Sequence, residues 1–439
     1  MKDKIEFKTV VEDIPLDINK NTLFNINTKN VNQLTHGFHK YPGKFIPQIP
    51  AWAIDKYLGN VDNATILDPF CGSGTTLVEG FIKGYNVIGI DIDPLSVLLS
   101  KVKTTKINIS YFSTISNWLI EKIQDQSILE RFLPKIKTLT HWFTEEAIDK
   151  LGKIRFLIDE IPYKFNNTND IHDLLIICFS SIIRRVSNAD NQSQKTFVSH
   201  TNKKNPEEVY YLFMKQLNYY KTRIYNFNNI CKANRICKVI RKTSTQDFSS
   251  IFNQKIDLVV TSPPYIKAID YIYNQMAELF WIGDLFNIET QEKQNLLKPE
   301  YIGNKQIKKV EYSNFLPSKN ITGINFLDDA LNSIYEQDNK NGHKHSFITW
   351  KFFNEMDRHF RHISRILDKE THYIIIIGDS SVSNVKVETA KILTMIAENN
   401  NFKLYNKWGY KIKNRYMRFD RKGRGGLIKI DWVLDLKKS

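Results

Sequence analysis

Two short turns hold the residues of this 439-residue chain whose types and spacing could do chemistry. The first runs Asp68-Pro69-Phe70-Cys71-Gly72-Ser73-Gly74-Thr75-Thr76, the second Thr261-Ser262-Pro263-Pro264-Tyr265. In the first, Gly72 and Gly74 let the backbone approach a ligand closely, and a helix opening at Thr75 presents free N–H groups, an arrangement that suits a nucleotide or nucleoside. No lysine follows the glycines at the spacing of a phosphate-cradling loop, so that chemistry is excluded. Asp91 closes the next apolar run, where doubly wound folds commonly set a carboxylate against two ribose hydroxyls. The second turn follows the apolar run KIDLVV. Its prolines lack the N–H that a β-ladder requires, so the chain must turn where the sheet ends. Alone, a Pro-Pro pair is an ordinary rigid loop; with a ligand turn elsewhere in the chain, it becomes a candidate site.

The elements that must position these turns read as α/β. A strand over Ala64–Leu67, a helix over Thr75–Lys83, a strand over Asn86–Ile90 and a further helix form a βαβα succession of the doubly wound kind. Residues 1 to about 30 read as a polar N-terminal arm without periodicity. HGFHKYPGKFIPQIPAWAIDKYL then makes a loop running into a helix that starts near Pro47 or Pro50. Between Lys103 and Asn234 the alternation gives way to helical periodicity, the mark of an inserted subdomain. The sheet resumes at Ile236–Arg241 and at KIDLVV. A polar, basic stretch from Asn287 to His345 follows, then a helix over Phe352–Leu367, the strand HYIIIIGD, a helix over Val387–Asn399 and two closing strands. The chain therefore divides into residues 1–103 (arm and first part of a ligand-binding domain), 104–235 (helical insertion), 236–286 (second part, with the Pro-Pro turn), 287–345 (polar basic region) and 346–439 (last part).

A formal charge of +15 and an aromatic fraction of 12% suit a partner that carries phosphates, although a solvated basic surface reads the same way. The segment RFDRKGRGG from Arg418 to Gly426 is either a basic hairpin suited to phosphates or an ordinary charged turn. The four cysteines form no paired motif, which fits a reducing compartment. No signal-type segment and no apolar run of about 18 residues is present, so a cytoplasmic location without membrane association is expected. His36 with His39, and His343 with His345, lack a cysteine or carboxylate at ligand spacing, and no metal is expected.

The motifs DPFCGSGTT, TSPPY and HKYPGKFIP together resemble the DNA amino-methyltransferases, which use S-adenosylmethionine to methylate an exocyclic amine of cytosine or adenine. AIDYIYNQMAELFWIG and YIIIIGDSSV continue the resemblance. It covers both ends of the sheet domain and leaves the helical insertion and the basic region without a motif. The resemblance implies a mostly parallel, doubly wound sheet of the class I methyltransferase (Rossmann-like) type. It also implies S-adenosylmethionine as cofactor, duplex DNA as substrate and a cognate restriction endonuclease as a candidate partner. Asp68, Pro69, Phe70, Gly72, Gly74 and Thr75 would cradle the methionine part of the cofactor, Asp91 its ribose, Asp247 its adenine amine, and Lys44 with Phe45 would close over the methionine end. An ordinary surface aspartate remains the other reading of Asp247.

Under the same resemblance the second turn becomes a base clamp. An exocyclic amine is a poor nucleophile because its lone pair is delocalised into the ring. Acceptors at its hydrogens, the Ser262 hydroxyl and the Pro263 carbonyl, would make it more tetrahedral. Pro263 and Pro264 would hold those acceptors rigidly, and Tyr265 would offer a face on which a flipped base stacks. A leading serine resembles the N4-cytosine enzymes, with N6-adenine as the alternative. C5 methylation is set aside because no Pro-Cys dipeptide exists, and protein glutamine methylation because that turn begins with asparagine. A catalytically silent DNA-binding subunit of the same fold is the rival from another class. Target reading is expected from the helical insertion, with Arg184 and Arg185, together with the basic region, with Lys305, Lys308 and Lys309.

Overall fold

The computed structural model describes residues 7–59, 61–190, 195–201, 203–231, 235–247, 251–252, 254–267, 269–317, 321–337, 341–412 and 428–439. Its strands are β1 (Phe7–Val11), β2 (Leu23–Ile26), β3 (Thr65–Asp68), β4 (Asn86–Asp91), β5 (Cys237–Arg241), β6 (Leu258–Thr261), β7 (His372–Gly378), β8 (Ser380–Val382), β9 (Val385–Val387), β10 (Phe402–Lys411) and β11 (Ile430–Lys438). Nine of them make one sheet in the order β1-β2-β10-β11-β7-β6-β3-β4-β5. The five strands from β7 to β5 run parallel, and β11 is antiparallel to both β7 and β10.

Why the centre is parallel is visible in its composition. The β7 run His372–Gly378 carries four isoleucines in succession, and all four are 0% exposed because helices cover both faces. Ile374 and Ile376 join Ile66, Val87, Leu258 and Val260 in one core. Ile375 and Ile377 join Leu67, Ile88 and Val259 in the core of the opposite face.

Helices α1 (Gln48–Tyr57), α2 (Thr75–Ile82) and α3 (Pro94–Thr104) accompany the first strands. Helices α4 (Ile109–Gln124), α5 (Leu139–Trp142), α6 (Glu145–Lys164), α7 (Asn169–Val186) and α8 (Val209–Ile230) fill the segment between α3 and β5. These insertion helices bury a core that they share with Leu95, Leu99 and Val102 of α3, and α9 (Tyr271–Asn274) and α10 (Met276–Ile282) follow the Pro-Pro turn, with Phe280 and Trp281 of α10 packing into that core. The remaining helices are α11 (Gln291–Leu297), α12 (Lys309–Tyr312), α13 (Asn325–Gln337), α14 (Gly342–Ile366) and α15 (Thr389–Asn399).

Two sequence expectations need revision. The N-terminal arm contributes strands, since β1 and β2 extend the sheet beyond β10 by parallel pairing. Leu23 and Ile26 are 0% and 1% exposed, but four residues are too few for alternation to stand out. Among the described residues the polar region 287–345 holds α11, α12, α13 and the start of α14, and α13 buries Leu327, Leu331 and Ile334, a stripe at helical spacing that the surrounding asparagines and lysines dilute. The basic segment Arg418–Gly426 lies outside the described residues.

Candidate active site

The chain order β3, β4, β5 steps outward in one direction and β6, β7 in the other, so the sheet reverses between β3 and β6. Doubly wound folds open their ligand crevice at this place. The two turns singled out from the sequence follow those two strands, which pair directly through Ile66 with Leu258 and Leu67 with Val259. A side-chain bond joins them: the Thr261 hydroxyl donates to Asp68 Oδ1 at 2.6 Å.

Asp68 is fully buried. Its Oδ1 also accepts the Phe70 N–H at 3.1 Å, while Oδ2 has no hydrogen-bond partner. Burial pushes this carboxyl up to about 6, against the pull of Thr261 and of the Phe70 N–H. Gly72 sits at φ 48° and Gly74 at φ 75°, both in the left-handed region that favours glycine. A Cβ on Gly72 would meet the Tyr41 ring at 3.2 Å, and one on Gly74 would lie 2.9 Å from Ser100 Oγ. The second glycine thus serves the close approach of α2 to α3, where the sequence reading had assigned it room for a ligand.

Asp91, ending β4, accepts the Gly72 N–H at 2.7 Å on Oδ2 and the Asp93 N–H at 2.9 Å on Oδ1. Burial, with the adjacent Asp93 charge, raises its carboxyl to about 7, partly offset by those two donors. Asp93 is fully buried, a second acid beyond those the motifs mark. It caps α3 through the Ser96 N–H at 2.8 Å and accepts from Tyr301 at 2.9 Å and from Gln275 at 3.1 Å. The available signal was an aspartate immediately before a proline that opens a helix.

A single cleft of about 680 Å³, counted with its open mouth, collects much of the predicted set. From the first turn it takes Pro69, Phe70, Gly72 and Thr75, and from β4 it takes Asp91. Ser262 and Pro264 of the second turn face it, as do Lys44 and Phe45. The Lys44 ammonium is engaged by the His36 carbonyl at 2.9 Å and the Val31 carbonyl at 3.2 Å, and burial lowers it to about 8. His36 in turn meets Glu79 of α2 at 2.7 Å, fastening the loop to the sheet domain. Tyr41, Ser244, Tyr271, Glu300, Tyr301 and Ile302 also line the cleft. Tyr41 and Tyr271 lie in the motifs HKYPGKFIP and AIDYIYNQMAELFWIG, while no sequence signal marks Ser244, Glu300, Tyr301 or Ile302, which the chain brings in from two further segments.

Five predicted residues stand apart from the lining. Asp68 and Gly74 support the turn from behind it. Pro263 is buried, and Tyr265 is held by its hydroxyl, which donates to Asp431 Oδ1 at 2.7 Å beside the Tyr410 hydroxyl at 3.1 Å on Oδ2. Asp247 also lies outside: its side chain is 51% exposed and sits 3.9 Å from Arg365, and its carbonyl accepts Lys242 Nζ at 2.8 Å.

The strand order with its antiparallel β11, and the cleft at the point of reversal, give the α/β fold of the class I methyltransferase (Rossmann-like) type. Residues 11–101 match a family of N6- and N4-specific methylases described as DNA methylase. The chain is 28% identical over 428 residues to the Type II methyltransferase M.MvaI of Kocuria varians, covering 90% of this chain and 87% of that one. It is 25% identical over 406 residues to the Type II methyltransferase M.MjaII of Methanocaldococcus jannaschii, covering 73% and 75%. An rRNA methyltransferase of Streptomyces viridochromogenes aligns over 91% of this chain and 88% of its own at 9% identity, with a TM-score of 0.30, too low to add to the strand order. These sequence matches support a likeness to the S-adenosylmethionine-dependent DNA amino-methyltransferase family.

Proposed function

We propose that the protein methylates the exocyclic N4 of a cytosine flipped out of duplex DNA, at a defined sequence, as the modification partner of a restriction endonuclease. The observation that carries this reading is that Ser262 and the glycine turn line one cleft. The lining fits the cofactor in chemical type, setting the apolar Phe45 and Phe70 beside carboxylate and hydroxyl acceptors. Asp91 supplies acceptors to it, and Asp68 keeps one buried oxygen without a partner behind it. S-adenosylmethionine supplies, when bound, a methyl group on a positively charged sulfur.

The chain's own residues would do the rest. Asp91 accepts the ribose hydroxyls, Phe70 and Phe45 enclose the apolar body, and Gly72 leaves the backbone close to the ligand. The Ser262 hydroxyl and the Pro263 carbonyl accept the two amine hydrogens and draw the nitrogen towards a tetrahedral, nucleophilic geometry. Both proline rings limit the turn's freedom, so little reorganisation accompanies transfer. The Asp431 bond to Tyr265 fixes the ring plane against which the base would stack. The serine that leads the turn favours cytosine over adenine. The net charge of +15 favours a polyanionic substrate.

The test is transfer of tritium from methyl-labelled S-adenosylmethionine to mixed-sequence duplex DNA, followed by digestion and chromatography of the nucleosides. Labelled N4-methylcytosine is the expected product. Labelled N6-methyladenine would move the assignment to adenine, and cofactor binding without transfer would favour a silent subunit.

A further inference from the structure

Beside the cofactor cleft lies a second cavity, about 990 Å³ with its mouth, between the His39–Pro42 loop, α7 of the insertion and the junction of α9 with α10. Tyr41 lines both, so the two share a wall. The lining is graded. At the mouth stand exposed Lys40 and the Arg185–Glu207 ion pair, whose Arg185 Nε is 2.8 Å from Glu207 Oε1. At the floor are Glu278 and Gln275, only 6% and 5% exposed.

Two acceptors there are unsatisfied: Glu278 Oε2 and Gln275 Oε1 are buried without hydrogen-bond partners. The orientation of the Gln275 amide is settled chemically, because its Nε2 donates to the Asp93 carboxylate at 3.1 Å and a carboxylate oxygen can face only the N–H₂ end. Its oxygen is therefore left for a ligand. Leaving such groups unpaired costs about 1–3 kcal/mol each, so the cavity calls for an occupant that donates twice at the floor and tolerates positive charge at the mouth. Burial raises the Glu278 carboxyl, while Arg184 and Lys40 draw it back towards ionisation.

We propose that this cavity receives a guanine of the DNA, its N1–H and N2–H₂ donors on Glu278 and Gln275 and its phosphate near Lys40. Guanine is the base whose Watson–Crick edge offers two adjacent donors; cytosine and adenine place an acceptor beside the amine, and thymine has a single N–H. In a duplex that edge is paired. It becomes free when the opposite cytosine is flipped, so the inference rests on the reading of the protein as a cytosine methyltransferase. Occupancy would also reach the cofactor side, since Gln275 holds Asp93, whose N–H holds Asp91 at 2.9 Å.

The experiment uses the full chain saturated with S-adenosylhomocysteine, which keeps added nucleotides out of the cofactor cleft. Calorimetry then compares the four 2′-deoxynucleoside monophosphates. The guanosine form is expected to bind about tenfold or more tightly than the other three, a difference of about 1.4 kcal/mol or more. Glu278→Gln should erase that preference with S-adenosylhomocysteine affinity unchanged. Lys40→Ala, at an exposed position, should weaken all four alike. Equal binding of the four nucleotides, or an undiminished guanine preference in Glu278→Gln, overturns the proposal. If Glu278→Gln does not fold, the nucleotide series and Lys40→Ala decide. A wild-type protein that methylates cytosine in DNA yet shows no guanine preference refutes the cavity alone, whereas failure to methylate DNA at all strikes the underlying reading.

Discussion

Asp91 is expected to make cofactor binding depend on pH, and the direction of its shift sets the sign. Its carboxyl is raised to about 7 by burial and by Asp93, so the free protein holds a proton there that an ordinary aspartate would have lost. Ribose hydroxyls donating to Asp91 favour the ionised form, so S-adenosylmethionine affinity should rise as pH climbs through 7 and level off above it. One pH unit below that value about a tenth of the carboxyl is ionised, and affinity at pH 6 should be about tenfold below the plateau at pH 8, or about 1.4 kcal/mol. Near pH 7 binding should release about half a proton, read from the buffer dependence of the calorimetric heat. Asp91→Asn places an amide N–H₂ against one of the two backbone N–H groups that now donate to the carboxylate. Its affinity should be low and flat across the range. Asp68, raised to about 6, remains in both proteins, and the difference between the two profiles isolates Asp91. A wild-type profile without slope, or the same slope in Asp91→Asn, refutes the assignment of the ribose to this residue.

Ser262→Ala should slow single-turnover methylation by about 10²–10³, the cost of one oriented polar group in oxyanion sites, with DNA and cofactor affinity held; an unchanged rate would remove Ser262 from the chemistry. Tyr265→Phe deletes a donor to the buried Asp431 carboxylate and should cost about 1.5–3 kcal/mol in chemical denaturation, while 2-aminopurine fluorescence still reports base flipping because the ring remains. Gly74→Ala forces a side chain into φ 75° and onto Ser100. It should destabilise the fold by about 1–2 kcal/mol from the backbone alone, and a melting temperature equal to wild type would contradict the packing role. Non-specific DNA affinity should fall with salt on a log–log line of slope about −0.9 per phosphate contact, and a flat line would mean that the basic surface is only solvated.

The central strands were legible because parallel, doubly covered strands write themselves as unbroken apolar runs, as at Ile374–Ile377 and Leu258–Val260. The two turns were legible because glycine and proline change what a backbone can do. Elements whose stability comes from distant partners were not. β2 is four residues whose place is set by backbone pairing to β10, and nothing local announces that. Asp93 meets Gln275 and Tyr301, 182 and 208 residues further along the chain, in one buried polar knot, and a single sequence carries no sign of such a meeting. Tyr265 shows the same limit in another form. Its position in the turn was readable, but the carboxylate that fixes its ring lies on β11, at the far end of the chain.

The long separation of the two turns follows from how the sheet is wound. An insertion between α3 and β5 can grow to five helices without moving either turn, because β5 still pairs with β4 and β6 still returns beside β3. The register of β3 with β6 sets the distance between the glycine turn and the Pro-Pro turn, and the Thr261–Asp68 bond locks it at the strand ends. The insertion then reaches the site from the side: its α7 and the α10 helix wall the second cavity, and Gln275 connects that wall to Asp93. A segment free to vary in length is thereby joined by one amide to a carboxylate whose geometry the fold keeps fixed. In this arrangement a contact made in the second cavity can bear on Asp91 through Asp93 while the spacing of the two turns stays as the sheet sets it.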